Sequence, residues 1–271
     1  MTHTRDIPQS FWRDEQLPWL ELRSTWQSQQ AYKRHHHSQL SIGAILEGET
    51  CCQCDGKEYL LSSGDLIVIP SLAPHSCNPV NGRFRSYHML YLDAQWCLNH
   101  LPELSSNQQL YPRNPVIRDP QLFQRYLRLV ALMQRKQTTQ ITDAAQALLR
   151  SLPLQSVKTE HLSPASTYLR ERLQSSLVAP PSLDELAYEC RMRKETLIRN
   201  FKQDTGLTPG SYLNILRVNY ARQRLRAGDE IADVGYQSGF ADQSHFHRTF
   251  VRYTAATPRQ YALGRSISDN N

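Results

Sequence analysis

One passage of this chain is written twice. TLIRNFKQDTGLTPGSYL (196–213) returns about 49 residues later as SHFHRTFVRYTAATPRQYA (244–262). Arg199 matches Arg248, Phe201 matches Phe250, Thr205 matches Thr254, Thr208-Pro209 matches Thr257-Pro258, and Tyr212 matches Tyr261. The C-terminal part must therefore build one local structure twice. Ahead of the second copy, Ile231, Val234 and Gly235 fall on one face of a short helix, Gly239 supplies a turn, and Asp242 is placed to cap a helix whose apolar positions are Phe246 and Phe250. Ahead of the first, Ser182 and Glu185 form a capping box. Leu183, Leu186 and Ala187 follow as a buried face, a turn falls near Arg191-Met192, and Leu197 and Phe201 point inward. Gly206 sits at the C′ position, where positive φ is needed. The pattern predicts two helix-turn-helix motifs, at about 183–206 and 231–255. A long helix over 210–227 joins them, restarted by Thr208-Pro209, with Leu213, Leu216, Tyr220 and Leu225 on its apolar side.

The second helix of such a motif enters a DNA major groove and reads base edges with its outward residues. With Leu197 and Phe201 inward, the first copy offers Glu195, Thr196, Ile198 and Arg199. The second offers Gln243, Ser244, His245, His247 and Arg248. Arg reads guanine, Gln adenine and Glu cytosine, while Ile touches a thymine methyl. Either arginine could instead clamp a phosphate, and Lys194, Lys202 and Arg252 suit that role or plain solvation. Two readers one helical turn apart, roughly 34 Å, imply a non-palindromic target. The net charge of +6 and pI near 9.0 lean the same way, with the basic surplus mostly in the C-terminal part.

At 271 residues the chain has room for two domains. Residues 1–152 are expected to form the first, 153–164 a polar, proline-bearing linker, and 165–271 the second. No uninterrupted apolar run approaches ~18 residues and the N-terminus lacks a signal-peptide core, so a soluble, cytoplasmic protein with no membrane partner is expected. In the first domain LSIGAIL (40–46), CCQCDGKEYLL (51–61), DLIVIP (65–70) and RSYHMLYLD (85–93) read as strands. Asp55-Gly56 marks a tight hairpin. Such closely spaced strands suggest a sandwich or small barrel. Two amphipathic helices follow, over 119–136 (Leu122, Tyr126, Leu129, Leu132-Met133) and 139–152. Among the cysteines Cys51, Cys52, Cys54, Cys77, Cys97 and Cys190, Cys51 and Cys54 stand at C-x-x-C spacing, with no second such pair to complete a zinc ribbon. The plain reading is small buried hydrophobes in a reducing compartment; a redox or soft-metal sensor built on Cys51–Cys54 is the alternative.

The order HHHSQLSIGAILEG, a Gly-Asp turn, then IPSLAPH resembles the cupin family of β-barrels over residues 33–92. That resemblance implies His35, His37 and His75 as inward-pointing groups, with His35 and His37 sharing a strand face. Where a metal-dependent cupin carries a Glu ligand, this chain reads Ser-Gln-Leu-Ser-Ile. The three histidines are candidate ligand-binding groups, and a divalent metal in the N-terminal barrel is the secondary expectation. Residues 165–263 resemble the DNA-binding domain of the AraC/XylS family of bacterial transcription regulators, through an Ile-Ala-x-x-small helix, a Gly-Phe turn, Phe-x-Arg-x-Phe and Thr-Pro-x-x-Tyr. Ala255 and Arg191 stand where glycines are usual, and Arg193 where a serine cap is usual.

The expected fold is α+β in two domains: a cupin-like β-barrel with following helices, then an all-α domain with two helix-turn-helix motifs joined by a long helix. The implied function is a sequence-specific regulator of promoter DNA, an activator rather than a repressor, controlled by a small-molecule effector in the barrel. RNA polymerase is the implied partner of an activator, and a homodimer formed through the helices after the barrel is the implied assembly. A metal- or redox-responsive regulator using His35, His37 and His75 or Cys51–Cys54 is the alternative. A cupin enzyme with an accessory DNA-binding domain is disfavoured by the missing carboxylate, so no catalytic residue is expected.

Overall fold

The computed structural model describes residues 8–101, 108–158 and 162–264. These group into two compact units. One runs to Ala31 and from His36 through residue 158, with Gly264; the other comprises Tyr32–His35 and residues 162–263.

The first unit contains β1 (Gln9–Trp12), β2 (Leu20–Ser28), β3 (Leu40–Glu47), β4 (Thr50–Cys54), β5 (Lys57–Leu61), β6 (Leu66–Ile69), β7 (His75–Pro79), β8 (Arg85–Leu92), α1 (Ala94–Asn99), β9 (Gln108–Pro112), β10 (Val116–Ile117), α2 (Pro120–Gln134), α3 (Thr138–Ser151) and β11 (Leu154–Lys158). A six-stranded antiparallel sheet has the order β1-β2-β8-β3-β6-β10, and a smaller one the order β5-β4-β7. Asp55 and Gly56 both hold positive φ in the β4–β5 hairpin, as a two-residue turn of this type requires.

Strand alternation divides the large sheet between two cores. Leu40, Ile42, Leu66, Val68, Leu90 and Leu92 join Tyr126, Leu129 and Met133 of α2 and Ile141, Ala145, Leu148 and Leu149 of α3. On the opposite face Ile45, Ile67, Ile69 and Tyr87 meet Cys52, Cys54 and Leu61 of the small sheet. Both faces of β6 are therefore covered, which is why Leu66–Ile69 reads as an unbroken apolar run. The Tyr126 hydroxyl donates to the carbonyl of Ile42 at 3.1 Å, tying α2 to the middle of β3.

Two expectations change here. The barrel is not closed, because among the described residues no ladder joins the two sheets into one continuous surface. Part of the expected linker is a strand: β11 pairs along its length with β9, from Leu154 opposite Pro112 to Lys158 opposite Gln108. Its polar edge-strand composition carries no apolar period, so no helix or strand signal stands out there. The apolar stripes of α2 and α3 are taken by this unit's own sheet.

The second unit is helical: α4 (Pro164–Ser175), α5 (Leu183–Glu189), α6 (Lys194–Thr205), α7 (Pro209–Arg226), α8 (Ile231–Gln237), α9 (Gln243–Thr254) and α10 (Pro258–Leu263). Helix α7 is the shared axle, packed on α4, α6, α8, α9 and α10. Its buried stripe is Tyr212, Ile215, Val218, Ala221 and Leu225. The expected Leu213, Leu216 and Tyr220 are only half-buried. A helix with neighbours on several sides carries apolar residues all round, so its sequence does not single out one face. The segment Tyr32–His35 belongs to this unit: the Lys33 N–H donates to the Arg252 carbonyl at 2.9 Å, and its ammonium lies 5.5 Å from the Tyr253 ring centroid.

Candidate functional site

The repeated sequence becomes a repeated set of hydrogen bonds. In the α5–α6 turn the Arg191 N–H donates to Tyr188 and that of Met192 to Ala187; in the α8–α9 turn Gly239 donates to Tyr236 and Phe240 to Gly235. At the ends of α6 and α9 the Thr205 and Thr254 hydroxyls each donate to the carbonyl four residues back, Phe201 and Phe250. The Gly206 and Ala255 amides close those helices onto Lys202 and Val251, both in left-handed backbone. Phe201 meets Tyr212 edge-on at 5.5 Å, and Phe250 meets Tyr261 at 5.7 Å. The Tyr212 hydroxyl accepts from Gln174 and that of Tyr261 from Arg222, each at 3.0 Å. Both phenylalanines are fully buried, each stabilising its motif by roughly 1.5–3 kcal/mol.

The substituted glycine positions keep the glycine conformation. Arg191 holds φ +52° and Ala255 φ +48°, against +79° at Gly239 and +69° at Gly206. At Gly239 the absence of a side chain is also required, since a Cβ there would lie 2.5 Å from the carbonyl oxygen of Leu177. Arg193 caps α6 with no side-chain hydrogen bond, whereas the Asp242 carboxylate accepts from the His245 amide at 2.7 Å.

Of the residues expected to face outward, Glu195, Arg199, Ser244 and Arg248 are exposed, while Thr196, Ile198, Gln243, His245 and His247 are half-buried. Burial holds the His247 imidazole below its ordinary range, so it is neutral at neutral pH, offering one donor and one acceptor. The His245 ring packs edge-on against Phe240 at 5.4 Å. Gln243 differs from expectation. Its amide Nε2 turns back to donate to the Ala232 carbonyl, and it covers Gly235, where a Cβ would meet that nitrogen at 2.8 Å. The matching residue of the first copy, Lys194, reaches back likewise and pairs with Asp184 at 2.9 Å. Each recognition helix is thus braced to its leading helix by its first residue.

In the first unit the space between the sheets is apolar in its middle and polar toward one end. The middle is full: a Cβ on Gly43 would meet Ile67 at 2.8 Å and Met89 at 2.9 Å. Farther along, Glu21 and Ser41 flank Tyr91 in register, and Arg23 stands opposite Met89. Directly opposed residues share a sheet face, so this row looks toward the small sheet. Glu21 and Arg23 are buried, Glu21 pairing with Arg13 at 2.9 Å and Arg23 lying over the Phe11 ring. His37 and His75 meet there with ring centroids 4.8 Å apart, and His37 stands edge-on to Tyr91 at 5.4 Å. Both Nδ1 atoms lie against carbonyls, Gln39 for His37 and Ala73 for His75; the Nε2 of His37 meets Ser41 Oγ at 3.2 Å. Ser41 belongs to the stretch that stands in place of the cupin glutamate.

The shared strand face expected of His35 and His37 is not present, since residues 36–39 form no strand and Ser38-Gln39 bend the chain before β3. His35 is grouped with the second unit, where its ring stacks near Tyr32 at 5.7 Å. Glu21 and Arg23 are absent from the expected site because charges alternating with leucines look like a solvated strand face. The one available signal is the length of that alternation, Leu20 to Thr25.

A profile of the AraC-like ligand binding domain matches residues 18–175, and one of a helix-turn-helix domain matches residues 186–263. The chain is 28% identical over 253 residues to the HTH-type transcriptional activator RhaS of Enterobacter sp. (strain 638), covering 89% of this chain and 91% of that one. It is 26% identical over 228 residues to the uncharacterized HTH-type transcriptional regulator YbfI of Bacillus subtilis (strain 168), covering 80% and 82%. Its fold is similar to that of an apo form of ToxT from Vibrio cholerae, with a TM-score of 0.58 at 14% identity, over 96% of this chain and 100% of that one.

Proposed function

The chain belongs to the AraC family of DNA-binding transcription regulators with an N-terminal ligand-binding domain, and on that premise we propose that it activates transcription when a small polar molecule occupies the polar end of the inter-sheet space. The observation carrying the DNA side is the duplicated reader, in which two braced helices present Arg199 and Arg248 at matching exposed positions. Glu195, Thr196, Ile198, Ser244, His245 and His247 complete the two base-facing surfaces. Gln243 is assigned a bracing role. Arg248→Ala weakens binding to the cognate promoter by ~1–3 kcal/mol and relaxes sequence preference at one position. Footprinting that returned unchanged affinity and unchanged preference would refute that role.

Activation, with RNA polymerase as partner, is supported by the likeness to RhaS, an HTH-type transcriptional activator. Cytoplasmic residence and the absence of an enzymatic role accord with a transcription regulator. Among the described residues no helix is long and apolar enough to cross a membrane. The first and second domains are assigned to residues 1–158 and 162–264, and homodimerisation through the exposed side of α2 is the assembly we favour.

The effector pocket is assigned to Glu21, Arg23, Ser41, Tyr91, His37 and His75, whose mixed donors and acceptors suit a polar metabolite. One ToxT structure is bound to an unsaturated fatty acid. In this chain the buried charges of Glu21 and Arg23 favour a more polar molecule. A divalent ion is a second reading, favoured by the carbonyl contacts at each Nδ1, which direct Nε2 to the ion once the Ser41 hydroxyl gives up the Nε2 of His37. A thermal-shift screen of metabolites alongside divalent metals decides between them, because a binder of the folded state raises apparent stability. A shift by metals alone, lost in His75→Ala, would replace the metabolite reading with the metal one.

A further inference from the structure

The cysteines of β4 have a partner that their own spacing does not reveal. Cys52 stands directly opposite Cys77 in the β4–β7 register, and their sulfurs are 3.1 Å apart. Cys51 and Gln53 point to the other face of β4. Cys54 shares the face of Cys52 but stands opposite His75, a diagonal away from Cys77. As whole residues, Cys52 is buried and Cys77 half-buried. Arg85, itself buried, donates from Nη2 to the Cys77 carbonyl at 2.8 Å and places its positive charge beside that residue.

We propose that Cys52 and Cys77 are a reversible oxidation site of the N-terminal unit, closing to a cross-strand disulfide when a hydroperoxide reaches Cys77. The site does not depend on which effector the pocket takes. We assign Cys77, the less buried residue of the two and the one beside Arg85, as the first to react and Cys52 as the resolving thiol. The Cys77 thiolate attacks one peroxide oxygen, the O–O bond breaks, and with hydrogen peroxide the products are Cys77 sulfenic acid and hydroxide, which takes up a proton as water. The Cys52 sulfur then attacks the sulfenic sulfur, its proton leaving with the hydroxyl as a second water. Two thiols lose two electrons and the peroxide gains them.

A disulfide bond is about 2.05 Å long, so the sulfurs close by roughly 1 Å and draw β4 toward β7. In a reducing compartment a disulfide of this kind is transient and signals an oxidant.

The test uses the full-length reduced protein and hydrogen peroxide in small molar excess. The intact mass falls by about 2 Da and returns with dithiothreitol. Trypsin without reductant yields peptide 35–57 joined to peptide 58–83. Cys52→Ser abolishes that link, whereas Cys51→Ser and Cys54→Ser retain it. Wild-type protein in which Cys77 stays a thiol or goes to sulfinic acid without the linked peptide overturns the proposal. So does a link that survives Cys52→Ser.

Discussion

Replacing Arg191 with glycine stabilises the second unit, and the same replacement at Ala255 does not, although both residues hold left-handed backbone. That conformation costs an L residue roughly 1–2 kcal/mol. Glycine removes the strain, but the extra freedom it gives the unfolded chain takes back about 0.4–1 kcal/mol. Arg191 is exposed, so little burial is lost with its side chain and the replacement gains about 0.5–1 kcal/mol. Ala255 is only 1% exposed. Deleting its methyl loses a further ~0.8 kcal/mol of burial, leaving the net within about 0.5 kcal/mol of zero. Urea denaturation of the full chain, followed by the helical circular dichroism signal, gives the difference from the two midpoints at a common slope. Ala255→Gly gaining as much as Arg191→Gly would refute the reasoning, because burial would then have carried no weight.

Gly239→Ala is destabilising by more than about 2 kcal/mol, since it combines positive φ with a clash against Leu177 and Val178 backbone; a variant with wild-type stability would contradict the turn geometry. Gln243→Ala costs about 1 kcal/mol and the cost is the same at low and high salt, whereas the loss in Lys194→Ala fades as salt is added. Equal salt dependence of the two would contradict the bracing described. Burial depresses His88 to about 4 in the folded state, from an ordinary 6.5. Because the unfolded chain binds that proton first, the His88 contribution is full above pH 6.5 and falls by about 1.4 kcal/mol per pH unit down to about pH 4, and His36, depressed by burial to the same value, adds a like fall. A denaturation profile equally steep in His88→Asn would assign the loss elsewhere.

The C-terminal unit is legible in the sequence because its message is repeated. Two copies at one spacing, with Ser182, Gly206, Thr208 and Asp242 in capping roles, place helices and turns without reference to packing. The buried side of α7 is not legible, because Tyr212, Ile215 and Val218 face several neighbours and no single apolar stripe results. In the first unit the strands with apolar runs are readable, while β9, β10 and β11 are too short or too polar to announce themselves. The inner polar row and the Cys52–Cys77 pair depend on strand register, which brings together residues far apart in the chain. Local spacing carries no trace of either.

The two braces also differ in what they demand of their surroundings. Lys194 needs an acidic side chain at position 184, so either residue can break that contact by changing. Gln243 holds a main-chain carbonyl, which any residue at position 232 would present. Drift at 232 therefore leaves the second reader aligned, while drift at 184 loosens the first. Over many substitutions the Lys194–Asp184 contact of the first copy is the more easily lost of the two, and the Gln243 contact of the second the more durable.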